Sequence, residues 1–336
     1  MNYVDKPEQQ SKVVIIVGPT ASGKSKLAVE IASMLDSIVI SADSLQVYTD
    51  FGVVSDKITS IEMSGVPHYG IDLVPPQNEY NVGIFLEYAI PLIESELAKG
   101  KSPVIVGGTN MYIDKLLFTS RIDEDGTTPP AFSQSLCTTP APTYELLKVI
   151  DPQMAARLHP NDLRRVSRAI NYFHETGVPM STALKNQQRS LRWPNTVILL
   201  KDAPDTNLEN LILERVQNKM IKTGGLRKEL DRIEKFVSGG QMQWNKGILQ
   251  AIGYREFEHF VTNQIESGQP DEKLFDEGVT QVVRNTVRYA KKQKKWIKKL
   301  ESYVELIHVS DALTPGDLVA IVRQAGNLHV KCLPSW

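Results

Sequence analysis

Three short stretches carry residues that could do chemistry. The first is Gly18-Pro19-Thr20-Ala21-Ser22-Gly23-Lys24-Ser25, which fits the pattern GxxxxGK[ST]. In that pattern glycines let the backbone turn so that successive N–H groups point at one anion, and the following helix adds its positive N-terminus. Lys24 would bring a charge to the terminal phosphate and Ser25 a hydroxyl for Mg²⁺. The loop points to a polyphosphate without saying which. The second stretch, SADSLQVY at 41–48, places the Asp43 carboxylate beside the phosphate loop if the second strand neighbours the first. There Asp43 could hold Mg²⁺ through water or accept a proton from a bound nucleophile. An Asp-Ser pair at a strand end is equally a common cap. Gln46 and Tyr48, an amide and a phenol, suit recognition of a base edge. The third stretch is VIVGGTNMYI at 104–113, where Gly107-Gly108-Thr109 stands in place of the acidic residue that usually holds the metal in a P-loop ATPase. Two glycines bring the backbone close to a ligand and Thr109 offers a hydroxyl to an anion, although a glycine turn with a capping threonine would look the same.

These residues need elements to position them. Lys12–Val17 reads as a buried parallel strand leading into the glycine loop. Ser25–Leu35 has apolar residues at Leu27, Ala28, Ile31, Ala32 and Leu35, which is helical spacing. Ser37–Ala42 and Pro103–Val106 read as further strands, Val82–Leu97 as a helix, and Asn195–Leu200 and Tyr303–Val309 as later strands. Strands alternating with helices imply an α/β fold with a P-loop parallel-sheet core and ligands at the carboxyl ends of the strands. After Phe118 the texture changes to a stretch rich in Pro, Thr and Ser. Residues 143–185 then read as helices, with Asp151-Pro152 and His159-Pro160-Asn161-Asp162 as start signals. The expected organisation is a core of 12–118 and 193–312, a helical insertion domain over 119–192, and a C-terminal helix and tail over 313–336.

Composition narrows the class. The chain has 336 residues, 41% hydrophobic and 23% charged, with a formal net charge of −1. That is ordinary globular composition, so local charge runs say more about partners than the total. Cys137 and Cys332 are far apart and no CxxC pair suggests zinc, so a reducing compartment is expected, the cytoplasm first, with nuclear or mitochondrial copies compatible. No apolar run approaches the roughly 20 residues of a membrane helix, and the first residues, MNYVDKPEQQSK, read as a short tail without a signal core. Two basic footprints stand out. Arg157, His159, Arg164, Arg165 and Arg168 cluster in the insertion, and 284–299 holds eight cations in 16 positions with no acidic residue. Tyr289 and Trp296 interleave with the second run, which favours an RNA backbone over a merely solvated helix face.

Six motifs in order, GPTASGKS, DSLQVY, VGGTNMYI, HPNDLRRVSRAI at 159–170, GILQAIGYREF at 247–257 and YAKKQKKWIKKL at 289–300, resemble those of the tRNA dimethylallyltransferases, also called tRNA isopentenyltransferases. The resemblance covers roughly residues 12–300. It implies that Gly18, Thr20, Ala21, Ser22, Gly23, Lys24 and Ser25 hold the diphosphate of dimethylallyl diphosphate. Ser25 would also hold Mg²⁺, the implied cofactor. Asp43 matches the general base, and Thr109 would help stabilise the leaving group. The acceptor would be N6 of the adenosine at position 37 in tRNAs reading codons that begin with U, flipped from its stack at a cost of a few kcal/mol. Asp43, Ser44, Leu45, Gln46, Arg164, Arg165, Arg168, Arg288, Lys291 and Lys292 would contact the tRNA. A monomer is expected.

Some positions depart from that pattern. Where many relatives have Thr-Arg before YAKKQ, this chain has Thr286-Val287, and Arg284, Arg288 and Lys291 are the cations within reach on the same helix. Gly83-Ile84-Phe85-Leu86 replaces the Asp-Phe-Arg often found there, and His329 with Cys332 cannot make the zinc finger of some eukaryotic relatives. Other classes remain open on sequence: a prenyltransferase for free AMP, ADP or ATP, a P-loop small-molecule kinase, and an RNA-binding protein without turnover.

Overall fold

The structure, a computed structural model, describes residues 11–120, 143–186, 189–203, 207–244 and 246–331. The tail before Ser11, most of the Pro-rich stretch, Cys137 and Cys332 lie outside the described residues. The described chain divides into two compact units, one formed by the residues up to Leu116 together with Trp193–Lys331, the other running from Leu117 to Arg192.

In the first unit, β1 (Val13–Val17) leads through the glycine loop into α1 (Lys24–Met34), then β2 (Val39–Ser41), the short α2 (Ser60–Met63), β3 (His68–Tyr69), α3 (Val82–Ala98), β4 (Val104–Val106) and α4 (Asn110–Leu117). The second unit holds β5 (Phe118–Ser120), α5 (Tyr144–Ile150), α6 (Pro152–Ala155), α7 (Leu163–Thr176), α8 (Met180–Asn186) and β6 (Arg189–Leu191). The chain returns to the first unit with β7 (Thr196–Leu200), α9 (Leu208–Arg215), a π-helical stretch Val216–Ile221, α10 (Gly225–Ser238), α11 (Glu258–Ser267), α12 (Glu272–Glu301), β8 (Ile307–His308) and α13 (Pro315–Gln324).

The six strands of the first unit form one parallel sheet in the order β3-β2-β4-β1-β7-β8. The unbroken apolar runs VVIIV and TVILL explain the centre: every residue of β1 and β7 is buried, as expected for strands covered on both faces. Leu27, Ala28, Ile31 and Ala32 of α1 pack on one face with Leu318, Val319 and Val322 of α13. A second apolar cluster, around Phe51, Tyr254, Phe257 and Phe275, lies beneath the loop after β2. Its edge holds Glu229, 4% exposed, whose carboxylate accepts the N–H groups of Gly52, Val53 and Val54 and the Tyr254 hydroxyl.

The sequence-based strands at Lys12–Val17, Ser37–Ala42, Pro103–Val106 and Asn195–Leu200 all form, the second trimmed at both ends and the others by their first residue. The expected strand Tyr303–Val309 shrinks to Ile307–His308, because Tyr303 and Val304 still hydrogen-bond to the Leu300 carbonyl at the end of α12. In the second unit Asp151 and Asp162 do start helices, accepting from Met154 N (3.0 Å) and Arg165 N (3.3 Å). Asp151 is 1% exposed and also takes the Ser181 N–H and hydroxyl, tying α8 to α6 over a small core of Leu147, Met154, Val166 and Ile170. An antiparallel β5–β6 pair, not anticipated from sequence, closes this unit. Among the described residues no helix is long and apolar enough to cross a membrane.

Candidate active site

The glycine loop leaves the end of β1 where only a bare backbone fits. A side-chain carbon at Gly18 would collide with the Lys201 carbonyl, whose own N–H bonds Val17 O at 2.9 Å. Ala21 and Gly23 adopt positive φ (63° and 81°), curling the backbone round a central space. No side chain caps α1, so the N–H groups of its first turn have no side-chain acceptor there and form a ready anion seat. Ser22 Oγ is buried without a hydrogen-bond partner, and Lys24 Nζ folds back on the Pro19 carbonyl at 2.5 Å. Ser25 is exposed at the mouth.

The opposing wall comes from the ends of β2 and β4. The condition that the second strand neighbours the first is not met: β4 lies between β1 and β2. Asp43 nevertheless stays within electrostatic reach of Lys24 and Arg215, because the Gly107-Gly108 turn lets the strand ends crowd together. A side-chain carbon at Gly107 would strike the Ala42 carbonyl. Asp43 Oδ1 accepts Leu45 N–H at 2.9 Å. Thr109 Oγ1 accepts Ser44 N–H at 3.0 Å and donates to Ser44 Oγ at 3.3 Å, so its hydroxyl braces the Asp43 turn.

Charges meet across this space. Burial pushes the Asp43 carboxyl up, with the Leu45 N–H, Lys24 and Arg215 pulling the other way. Burial pushes the Lys24 ammonium down to about 8, Arg215 adds to that, and Asp43 and Asp56 resist it. Burial raises the Tyr289 phenol, and Asp43 raises it further. Burial also works against the charged form of Asp56, but Arg215 and Lys219 prevail and hold it below the usual range.

Arg215 carries no signal in the sequence, yet it is the cation that reaches the loop. Its Nη1 donates to Thr20 Oγ1 at 2.8 Å, its Nη2 to Val54 O at 3.1 Å, and its Nε lies 3.6 Å from Asp56. The π stretch starting at Val216 follows it directly, a local widening often found at functional sites. Gln293 lies inside the YAKKQKKWIKKL motif, which assigns it no role; it bonds both the glycine loop and the Gly108 turn.

Other sequence-predicted residues fall elsewhere. Gln46 makes internal bonds, accepting from Ser41 Oγ at 2.8 Å and donating to Ser55 O at 3.4 Å, and Tyr48 is buried in the Phe51 cluster. Phe85 is buried and stacks on Tyr112 with ring centroids 4.5 Å apart. Val287 is buried with Ala203, Leu208, Ile212 and Ala290, next to Ala21 of the loop. Arg284, Arg288, Lys291 and Lys292 on the same helix are exposed. Lys294 instead pairs with Asp202 at 3.2 Å. In the second unit Arg164, Arg165 and Arg168 are all exposed on α7, with Arg165 Nε 3.1 Å from Asp162.

Residues 46–300 match the family model described as IPP transferase, and residues 11–71 one described as isopentenyl transferase. A tRNA dimethylallyltransferase of Bacillus mycoides is 34% identical over 330 residues, spanning 96% of this chain and 97% of that protein. One from Thermoanaerobacter pseudethanolicus is 35% identical over 308 residues, 89% of this chain and 92% of its own. Among solved structures, a eukaryotic dimethylallyltransferase acting on tRNA aligns with a TM-score of 0.75 at 28% identity, over 93% of this chain and 78% of that one. The tRNA isopentenylpyrophosphate transferase of Bacillus halodurans aligns at 0.58 and 29% identity, over 93% and 94%. With a match over most of its length, and with the phosphate loop, the Asp43 turn and the Gly-Gly-Thr turn gathered at the carboxyl ends of the central strands β1, β2 and β4, this chain belongs to the IPP transferase family.

Proposed function

We propose that this protein moves the dimethylallyl group of dimethylallyl diphosphate onto N6 of the adenosine at position 37 in tRNA, releasing diphosphate. One observation carries the reading: an anion cradle with Lys24 and Arg215 faces the half-buried carboxylate of Asp43 at the carboxyl ends of β1 and β2, with β4 between them. An exocyclic adenine amine is a poor nucleophile because its lone pair is delocalised. As N6 bonds to C1 of the donor and the C1–O bond breaks, Asp43 takes the N6 proton, and the departing diphosphate keeps the electron pair. The loop N–H groups, Lys24 and Arg215 then face the charge that builds on the bridging oxygen. Thr109 holds Ser44, and through it the Asp43 turn, in register. All these groups come from one chain, which suits a monomer.

Magnesium fits this donor set in one way. Among the described residues no three His, Cys, Asp or Glu side chains gather as ligands, so these residues form no all-protein cage. Mg²⁺ is commonly held largely by substrate phosphates and water with few protein oxygens; the Ser25 hydroxyl would be the protein oxygen here, leaving Asp43 free to take the N6 proton. The ion would neutralise charge on the leaving diphosphate.

The transfer assay tests the reading directly. Labelled dimethylallyl diphosphate and Mg²⁺ are offered with unmodified tRNA, AMP or ATP in parallel. Label on tRNA is the expected outcome; label on AMP alone, or phosphate transfer from ATP without prenyl transfer, would replace it with a free-nucleotide enzyme or a kinase.

The same assay has an expected pH profile. With Asp43 needed as carboxylate and Lys24 as ammonium, kcat/KM rises through an acid limb above the ordinary aspartate range and falls through an alkaline limb near pH 8. Saturating donor moves the alkaline limb upward in kcat, because the bound anion favours charged Lys24. An alkaline limb that stays fixed would detach Lys24 from the donor site.

Exposed lysines of α12 give a separate expectation for tRNA. Changing Lys291, Lys292, Lys295 and Lys298 to Gln weakens binding of all tRNAs alike and lowers the slope of log K against log salt by about one unit per lost phosphate contact. Filter binding between low and moderate salt measures it, and an unchanged slope would make this face a solvated one.

A further inference from the structure

Within the basic run of α12 sits one buried polar side chain. Gln293 is 1% exposed although Lys292 precedes it and Lys294 follows. A buried amide must satisfy both its ends, and Gln293 does so on two different walls of the site. Its Oε1 accepts the Thr20 N–H of the glycine loop at 2.9 Å, and its Nε2 donates to the Gly108 carbonyl at 2.8 Å. Tyr289, one turn earlier on the same face, donates its hydroxyl to that carbonyl at 2.9 Å. The missing side chain at Gly108 makes room, since a carbon there would lie 2.5 Å from Gln293 Nε2.

The two ends lead to opposite partners of the reaction. Thr20 belongs to the cradle, and its hydroxyl receives Arg215. Gly108 precedes Thr109, which holds Ser44 and with it the Asp43 turn. We propose that Gln293 is a positioning residue that sets the distance between the diphosphate cradle and the general base. The inference rests on the transferase reading above. A displacement at carbon needs leaving group and nucleophile held at fixed separation, and a misplacement of about 1 Å can cost on the order of 10²-fold in rate. The chemistry also asks for an amide: a carboxylate at 293 would accept from Thr20 but repel the Gly108 carbonyl, and a thioether could do neither job.

Gln293→Met and Gln293→Glu are compared with the unaltered protein in steady-state transfer to tRNA, from pH 6 to pH 8. The Met variant is expected to lose about 10²-fold in kcat with KM for tRNA within threefold. The Glu variant, expressed relative to wild type at each pH, recovers as the pH falls, because a protonated carboxyl can donate to Gly108 while still accepting from Thr20; the Met variant shows no such recovery. Amide exchange of Thr20 and Ser44 quickens in the Met variant. Variants within threefold of wild type in kcat would overturn the proposal, as would losses that track melting temperature with no pH recovery in the Glu variant. If wild type itself fails to prenylate tRNA, the transferase reading falls, and amide exchange alone judges the clamp: unchanged exchange at both residues refutes it.

Discussion

Asp43→Ala lowers prenyl transfer to tRNA by about 10³-fold or more while leaving tRNA affinity within a few-fold. General-base catalysis alone accounts for roughly 10²- to 10⁴-fold, and here no second carboxylate stands ready: Asp56, the other acid within reach of Lys24, is occupied by Arg215 and Lys219. The affinity is spread over many exposed cations, so removing one half-buried carboxylate barely alters it. Asp43→Asn separates chemistry from architecture. An asparagine oxygen still accepts the Leu45 N–H that Asp43 accepts at 2.9 Å, so the turn survives, yet it cannot take a proton. Both variants are therefore expected to be inactive, with the Asn variant folded as wild type by circular dichroism and melting. A fully active Asp43→Ala would end the general-base assignment.

Arg215→Ala has the next largest expected effect, a fall of about 10²- to 10³-fold in kcat/KM, the range found when one preorganised donor to a developing oxyanion is removed. Its diagnostic mark is in the pH profile. Arg215 lowers both the Asp43 carboxyl and the Lys24 ammonium. Without it the acid limb moves to higher pH as Asp43 binds its proton more firmly, and the alkaline limb also moves to higher pH as Lys24 holds its proton longer. A bell displaced upward on both sides identifies an electrostatic role at the site. A bell of unchanged position and lower height would assign Arg215 to bracing the Val54–Asp56 loop instead.

What could be foreseen from the sequence follows from how local the causes are. The glycine loop was legible because backbone conformation at Ala21 and Gly23 and the start of α1 depend on neighbours within a few residues. The buried strands were legible because continuous apolar runs such as VVIIV have few other uses. Asp151 and Asp162 announced their helices by capping chemistry alone. Strand order was not legible, since adjacency of β2 to β4 rather than to β1 is decided by packing across the whole sheet. Arg215 was missed for the same reason: in LENLILERVQNK it is one charge among several, and only the fold brings it to Thr20. At Val287 the sequence raised the question of a substitute cation on the same helix. Arg284 and Arg288 face solvent, while Val287 is buried in an apolar cluster against which Ala21 of the loop packs.

The hydrogen bond from Thr20 to Gln293 spans 273 positions of the chain. The cradle sequence emerges from the ribosome early, but its brace is made almost last, and contacts so distant form only once most of the intervening polypeptide has collapsed. A nascent or partly folded chain thus carries a recognisable nucleotide-loop sequence that is not yet wired to a base. Competence at this site therefore arrives only with the completed fold.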